Sequence, residues 1–209
     1  MTDLIIVGAS GLGKEVAWLA ERAGVTVAGF LDDDFELQGC EFYHKPVLGV
    51  IDEWYKHSHY QFVIAIASPK IKQEVLKRML SKGVPKFAIL IDPSVQINLS
   101  ETRVGKGTVI CAGTVCTADT EIGSHCVVNK LCSIGHDATI QDFAVLAPQV
   151  MLGGHTVIGQ GAEIGAASLV RQGLNIAPGS VVGMGAVVIK DVPPGVTVIG
   201  NPARPLIKS

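Results

Sequence analysis

The chain is 209 residues long, 48% apolar, with a formal charge of −2. That length admits one or two domains of the usual ~100–200 residues, and no apolar run approaches the ~18 residues that signal a membrane-spanning helix. A charge so close to neutral gives no electrostatic basis for a nucleic-acid partner or an anionic membrane surface. In chain order, Met1-Thr2-Asp3 opens on an acid, so no secretory leader is expected and the cytoplasm is the expected compartment. Leu4 to Val7 reads as a strand running into a glycine loop, Gly8-Ala9-Ser10-Gly11-Leu12-Gly13. Lys14 to Ala23 carries Val16, Leu19, Ala20 and Ala23 at helical spacing. Val25 to Leu31 is a second strand, ending in Asp32-Asp33-Asp34. Phe62 to Ile66 is a third strand, Lys70 to Lys82 a helix and Phe87 to Ile91 a last strand. Alternating strands and helices predict a parallel, Rossmann-like sheet.

The loop spacing is Gly-x-x-Gly-x-Gly rather than the Gly-x-Gly-x-x-Gly of the dinucleotide fingerprint. Two readings stand: a phosphate cradle, because glycines and a helix N-terminus present free amides, or a tight strand–helix turn. Asp32 and Asp33 fall at a strand's carboxyl end, where such sheets bind ligands. His44, His57 and His59 lie in a polar stretch and are read as exposed bystanders.

Beyond residue 94 the pattern changes. Ten of the eleven aromatic residues precede residue 95, and only Phe143 follows it. Stepping by six from Val104 to Val188 gives fifteen positions, of which fourteen are aliphatic and one is Cys116. Four residues after each lies mostly Thr, Ser, Ala or Cys. A fixed six-residue register over this length is the mark of a triangular solenoid, the left-handed parallel β-helix, here with about five coils. Aliphatic residues point inward, small residues fit the corners, and glycines such as Gly105, Gly123, Gly135 and Gly159 are expected to turn the coils. Such an interior has little room for rings, which accounts for the missing aromatics. The five cysteines contain no Cys-x-x-Cys pair and are read as reduced thiols. Cys111, Cys116, Cys126 and Cys132 are read as small packing groups, and no metal site is expected. The expected domains are 1–94, a Rossmann-like unit, and 95–209, β-helix with a C-terminal tail.

The repeat resembles that of the hexapeptide acyltransferases. The fuller layout is Ile-Val-Gly-Ala-Ser-Gly-x-Gly, then Phe-Leu-Asp-Asp, then the β-helix, then Gly200-Asn-Pro-Ala-Arg204. It covers essentially the whole chain and resembles the sialic acid and nucleotide-sugar acetyltransferase family, closest in layout to N-acetyltransferases of UDP-4-amino-4,6-dideoxy sugars. The resemblance implies acetyl transfer from acetyl-CoA to a nucleotide-linked sugar amine, in a homotrimer with active sites between neighbouring β-helices. The family's histidine–acid motif reads here His136-Asp137-Ala138-Thr139-Ile140-Gln141-Asp142-Phe143. His136 would then be the general base, Asp137 its orienting partner, Asn129 a further active-site residue, and the Gly154 amide, 18 residues on, the oxyanion donor.

Substrate contacts carry over to Ser10, Gly11, Leu12, Asp32, Asp33 and Ala67, and acetyl-CoA contacts to Val145, Gly154, Ala166 and Met184. His155 is read as a solvent-facing wall residue and His125 as a surface group. Three positions depart from the family pattern: Gln141 replaces a glycine, Val145 a CoA-contacting histidine, and Pro148-Gln149 a Pro-Gly. Two other activities fit the same residues: O-acetylation of sialic acid or a related sugar, and a non-catalytic scaffold with a nucleotide-sensing first domain.

Overall fold

The apolar run Leu4–Val7 becomes β1, fully buried because strands flank it on both sides. Together with β2 (Val27–Leu31), β3 (Glu41–Phe42), β4 (Lys45–Gly49) and β5 (Gln61–Ile64) it forms a sheet of order β3-β4-β2-β1-β5. All pairings are parallel except β3 with β4. Helix α1 (Gly11–Arg22) follows β1 and α2 (Pro69–Leu80) follows β5, as a Rossmann-like unit requires. The computed structural model describes residues 3–206. The chain divides into two compact units whose boundary in sequence lies between Asp92 and Pro93.

Helix α1 begins three residues before the expected Lys14, with Ser10 as its N-cap. The glycines explain the early start. Gly8 has φ +110°, and a Cβ on Gly13 would collide with the Gly8 carbonyl oxygen, so strand and helix meet closely only without side chains there. The β3–β4 hairpin is invisible in the sequence because its turn uses Tyr43 (φ 46°) and His44 (φ 59°) where an Asn-Gly pair would be the usual signal. Phe87 makes a single bridge to Phe62, and only Leu90–Ile91 of the expected Phe87–Ile91 strand is extended. The core of this unit is mainly aliphatic, with Trp54 and Phe62 among its large rings. Trp54 packs edge-on against Phe62 at 5.6 Å and donates its indole N–H to the Met79 carbonyl at 3.0 Å.

The second unit is a parallel β-helix of two-residue strands. Three faces repeat every 18 residues. The first holds Arg103–Val104, Glu121–Ile122, Thr139–Ile140, Val157–Ile158 and Asn175–Ile176. The second runs from Val109–Ile110 through Val127–Val128, Val145–Leu146 and Glu163–Ile164 to Val181–Val182. The third holds Val115–Cys116, Ser133–Ile134, Met151–Leu152, Leu169–Val170 and Val187–Val188. The inward residue of every strand from Ile110 to Val188 is at most 5% exposed. Each such aliphatic side chain contributes roughly 1.5–3 kcal/mol by leaving water.

The small residues at the corners do more than fit. Thr108, Thr114 and Ser168 donate their hydroxyls, and Cys126 and Cys132 their thiols, to the carbonyl fifteen residues ahead (Gly123, Asn129, Gly183, Gln141 and Ala147). These thiols are therefore weak donors in a buried ladder as well as packing groups.

The glycine expectation needs correction. Gly105, Gly123, Gly135 and Gly159 do not turn the coils; their backbones are not left-handed. They let successive coils stack, since a Cβ on Gly135 would sit 2.6 Å from the Gly154 nitrogen. The left-handed residue comes two positions later, and at every corner from 107 to 185. Only six of those fourteen are glycine; Asp119, His125, Leu131, Asp137, Phe143, Gln149, His155 and Ala167 fill the others.

Candidate active site

The corner that links Ser133–Ile134 to Thr139–Ile140 carries the histidine–acid motif. Asp137 occupies its left-handed position (φ 56°), and His155 occupies the same position one coil on (φ 55°). The His155 amide donates to the His136 carbonyl at 2.8 Å, which fixes one residue over the other. His136 Nδ1 lies 2.7 Å from Asp137 Oδ2. His155 Nε2 lies 3.6 Å from the same oxygen, and the two rings meet edge to face at 5.0 Å. Asp137 is thus bracketed by two imidazoles. The hydrogen bond from His136, with the charge of His155 beside it, holds its carboxyl below the usual carboxylate range. An ionised Asp137 can only accept, so neutral His136 carries its proton on Nδ1 and presents a lone pair at Nε2. That Nε2 faces Gly154: a Cβ there would lie 2.6 Å from it. The Gly154 amide makes no hydrogen bond among the described residues. In one chain the corner is open to water, with the His136 side chain 59% exposed.

His155 corrects the sequence reading. It is exposed, as expected, yet it belongs to this cluster. The available signal was arithmetic, since 155 is 18 residues beyond Asp137. The nitrogen and oxygen atoms of His136, Asp137 and His155 lie within 4.8 Å of one another, close enough to share one divalent cation.

His125 is a second correction. It is 2% exposed rather than a surface group, because it stacks on Phe143 (5.4 Å, 10°) at the corner between the first and second faces. Gln141 accepts from the Gln160 amide at 3.0 Å, and Asp142 from the Ser124 amide at 2.7 Å, so both motif side chains tie neighbouring coils together.

A single chain does not gather all the expected residues. Asn129, whose Oδ1 accepts from the Lys130 amide at 2.8 Å, sits at the corner where the second face ends. Ala166 and the exposed Met184 occupy that same corner two and three coils along. The third face separates this corner from His136, and it bears the exposed Met151 and Leu169 and a cavity of about 520 Å³ beside Gly153 and Gln172. Val145 lies on the second face between Val127 and Glu163.

The first unit has its own cavity, of about 380 Å³. Ser10, Asp32, Asp33 and Ala67 line it. Gly11 and Leu12 open α1 beside Ser10, and the first intrahelical bond is from Lys14 to Ser10, so their amides have no partner within the helix. The two aspartates hold the walls. Asp32 accepts from the amides of Ala9 (2.6 Å) and Asp34 (2.9 Å). Asp33 accepts from the Ile51 amide (3.0 Å) and from Arg78 (2.7 Å). The far wall was missed from sequence: Ile71, Glu74, Val75 and Arg78 project from one face of α2.

The model of the PglD N-terminal domain matches residues 3–79. A GDP-perosamine N-acetyltransferase of Escherichia coli is 37% identical over 154 residues, which cover 71% of this chain and 68% of that protein. The chain belongs to the hexapeptide-repeat sugar N-acetyltransferase family. It superposes on a perosamine N-acetyltransferase variant from Caulobacter crescentus, solved with CoA and GDP-perosamine, with a TM-score of 0.92 and 26% identity over 100% of this chain and 98% of that one. The acetyltransferase domain of PglB from Neisseria gonorrhoeae, solved with acetyl coenzyme A, gives a TM-score of 0.91 and 31% identity over 98% and 99%. The chain spans only 45% of the length of an acyl-(acyl-carrier-protein)–UDP-N-acetylglucosamine O-acyltransferase of Stutzerimonas stutzeri, to which it is 36% identical over 124 residues. Among the described residues of this sugar N-acetyltransferase, no helix is long and apolar enough to cross a membrane.

Proposed function

We propose that this protein is an acetyl-CoA-dependent N-acetyltransferase acting on the amine of a nucleotide-linked 4-amino-4,6-dideoxy sugar, with His136 as general base. The observation that carries the reading is the dyad: His136 Nδ1 on Asp137 at 2.7 Å, with Nε2 turned to Gly154. The neutral sugar amine attacks the thioester carbonyl, and His136 Nε2 takes the proton that the amine sheds as the bond forms. Asp137 stabilises the resulting imidazolium. The unengaged Gly154 amide donates to the oxyanion of the tetrahedral intermediate, which collapses with loss of the CoA thiolate. The first unit holds the nucleotide, with phosphate at Ser10, Gly11 and Leu12 and further contacts from Asp32, Asp33 and Ala67.

Asn129, Ala166, Met184 and Val145 complete the acetyl-CoA site only if a neighbouring subunit brings its own corner to His136. A homotrimer of left-handed β-helices meets that need, and the exposure of His136 in one chain supports it. The compartment that supplies both substrates is the cytoplasm. Uridine is the base the sequence layout implies and guanosine the base named for the perosamine N-acetyltransferases, so both enter the assay.

Mass spectrometry of products from acetyl-CoA with UDP-, GDP- and dTDP-amino sugars, and with free sialic acid as a hydroxyl acceptor, tests the reading. Acetylation of an amino sugar is expected, with His136→Ala slower by ~10²–10⁴-fold. Normal turnover by that variant removes the base assignment. Transfer to sialic acid alone favours O-acetylation, a reading to which the O-acyltransferase relative gives some weight.

A further inference from the structure

The cavity of the first unit has two chemically different kinds of lining. The Gly8–Ser10 lining offers glycine backbone and the N-terminus of α1, which suit phosphate. Its lining also includes a slot of branched aliphatic side chains, Ile51, Ile71 and Val75, which suits a flat heterocycle. A diphosphate at the glycine lining therefore directs the nucleoside toward α2, where Glu74 and Arg78 border the slot.

The polar groups around that slot are not equally available. Both Asp33 oxygens are engaged, by the Ile51 amide and by Arg78. Arg78 is held in turn between Asp33 and Asp52, with its Nε 2.9 Å from Asp52 Oδ1. Glu74 makes no hydrogen bond or ion pair among the described residues. The slot therefore presents one uncommitted group, a carboxylate, which accepts and never donates at neutral pH.

The bases differ sharply as partners for such a group. Uracil offers a single N–H between two carbonyls, and those oxygens would face the carboxylate. Cytosine and adenine each set an amino donor beside a ring nitrogen acceptor. Guanine alone places two donors side by side, N1–H and the N2 amino group, matching the two oxygens of a carboxylate. We propose that Glu74 reads the base, and that the substrate class is a guanosine-diphosphate-linked amino sugar. The proposal rests on the reading of this unit as the nucleotide-sugar site.

Calorimetric titration of the full chain with GDP, UDP and IDP, the last lacking the N2 amino group, tests it. GDP is expected to bind at least ~10-fold more tightly than UDP or IDP. Glu74→Gln should weaken GDP by ~10–100-fold, the range for a lost hydrogen bond to a charged group, and leave UDP within about twofold. UDP binding as tightly as GDP overturns the guanine assignment, and so does Glu74→Gln with unchanged GDP affinity. An equal fall for GDP and UDP in the variant also overturns it, since that marks a general disturbance of the cavity. If none of the three binds the unaltered protein, the nucleotide-site reading itself fails, a result distinct from equal binding of all three.

Discussion

Gly154→Ala is the sharpest test of the corner, because it keeps the backbone amide and changes only the space beside His136. A Cβ at residue 154 would lie 2.6 Å from His136 Nε2 and 2.7 Å from Cε1, where ordinary contact begins at 3.4 Å. The ring must therefore withdraw by about 0.8 Å. It cannot do so freely, being held by the 2.7 Å bond to Asp137 and backed by His155 at 5.0 Å. A misplacement near 1 Å costs on the order of 10²-fold in rate, about 2.7 kcal/mol of activation free energy. Steady-state assays of thiol release should show kcat down by about that factor, with an unchanged melting temperature because the half-buried residue 154 has an ordinary φ and its Cβ would press only on the exposed His136 ring. The double variant separates causes. If the methyl acts through His136, Gly154→Ala costs little more once His136 is alanine. If it simply blocks the thioester, its cost persists there and the KM for acetyl-CoA rises. Activity of Gly154→Ala within about threefold of the parent, or full additivity, refutes the argument.

Three further outcomes are expected beyond those stated for His136 and Glu74. Zinc should inhibit through the His136–Asp137–His155 cluster, with reversal by chelator, and the ratio of activities with and without zinc should move toward one in His155→Ala; equal zinc sensitivity of both proteins contradicts a shared site. Maleimide should label Cys40 alone in the folded protein and all five thiols after unfolding. Burial pushes the Cys116 thiol up to about 12 and the Cys132 thiol up to about 11 from an ordinary 9.0. The neutral thiol is thus favoured by folding, and its contribution is complete below pH 9 and lost as pH rises toward those values. The melting temperature should fall over that alkaline window, and less so in Cys116→Ser than in the parent.

What could be read in advance depended on how local its cause was. The six-residue register is local, and it placed the inward column from Ile110 to Val188 because each strand is only two residues long and buries its second residue. The motif His136-Asp137 was legible because its partners are neighbours in sequence. The β3–β4 hairpin was not, since Tyr43 and His44 adopt positive φ without the residue types that usually announce it. The burial of His125 was hidden for another reason: its partner Phe143 is eighteen residues away, and a histidine off the inward column gives no sign of being capped by a ring. The α2 wall of the nucleotide cavity escaped notice because Ile71, Glu74, Val75 and Arg78 read equally as an ordinary amphipathic face.

Strain alone does not mark the reactive corner. Leu131, Gln149 and Ala167 hold the same left-handed conformation as Asp137 and His155, and each forfeits roughly 1–2 kcal/mol that glycine would keep. What distinguishes the His136 corner is the content of two adjacent columns. One stacks Ala118, His136, Gly154 and Gln172 at intervals of 18, the other Asp119, Asp137, His155 and Gly173. Within the first, His136 is followed by the one residue that leaves its Nε2 uncovered. Within the second, the carboxylate that fixes Nδ1 has another imidazole directly on its far side. A one-residue slip between these coils would put Gly153 or His155 in the place of Gly154 beside His136 Nε2. The fixed 18-residue coil prevents that slip, since the His155–His136 and Gly173–Gly154 backbone bonds (2.8 and 2.9 Å) lock successive corners in register. The rigidity of the repeat therefore sets the geometry that the reaction needs, and the 0.8 Å displacement expected in Gly154→Ala measures how closely the activity depends on it.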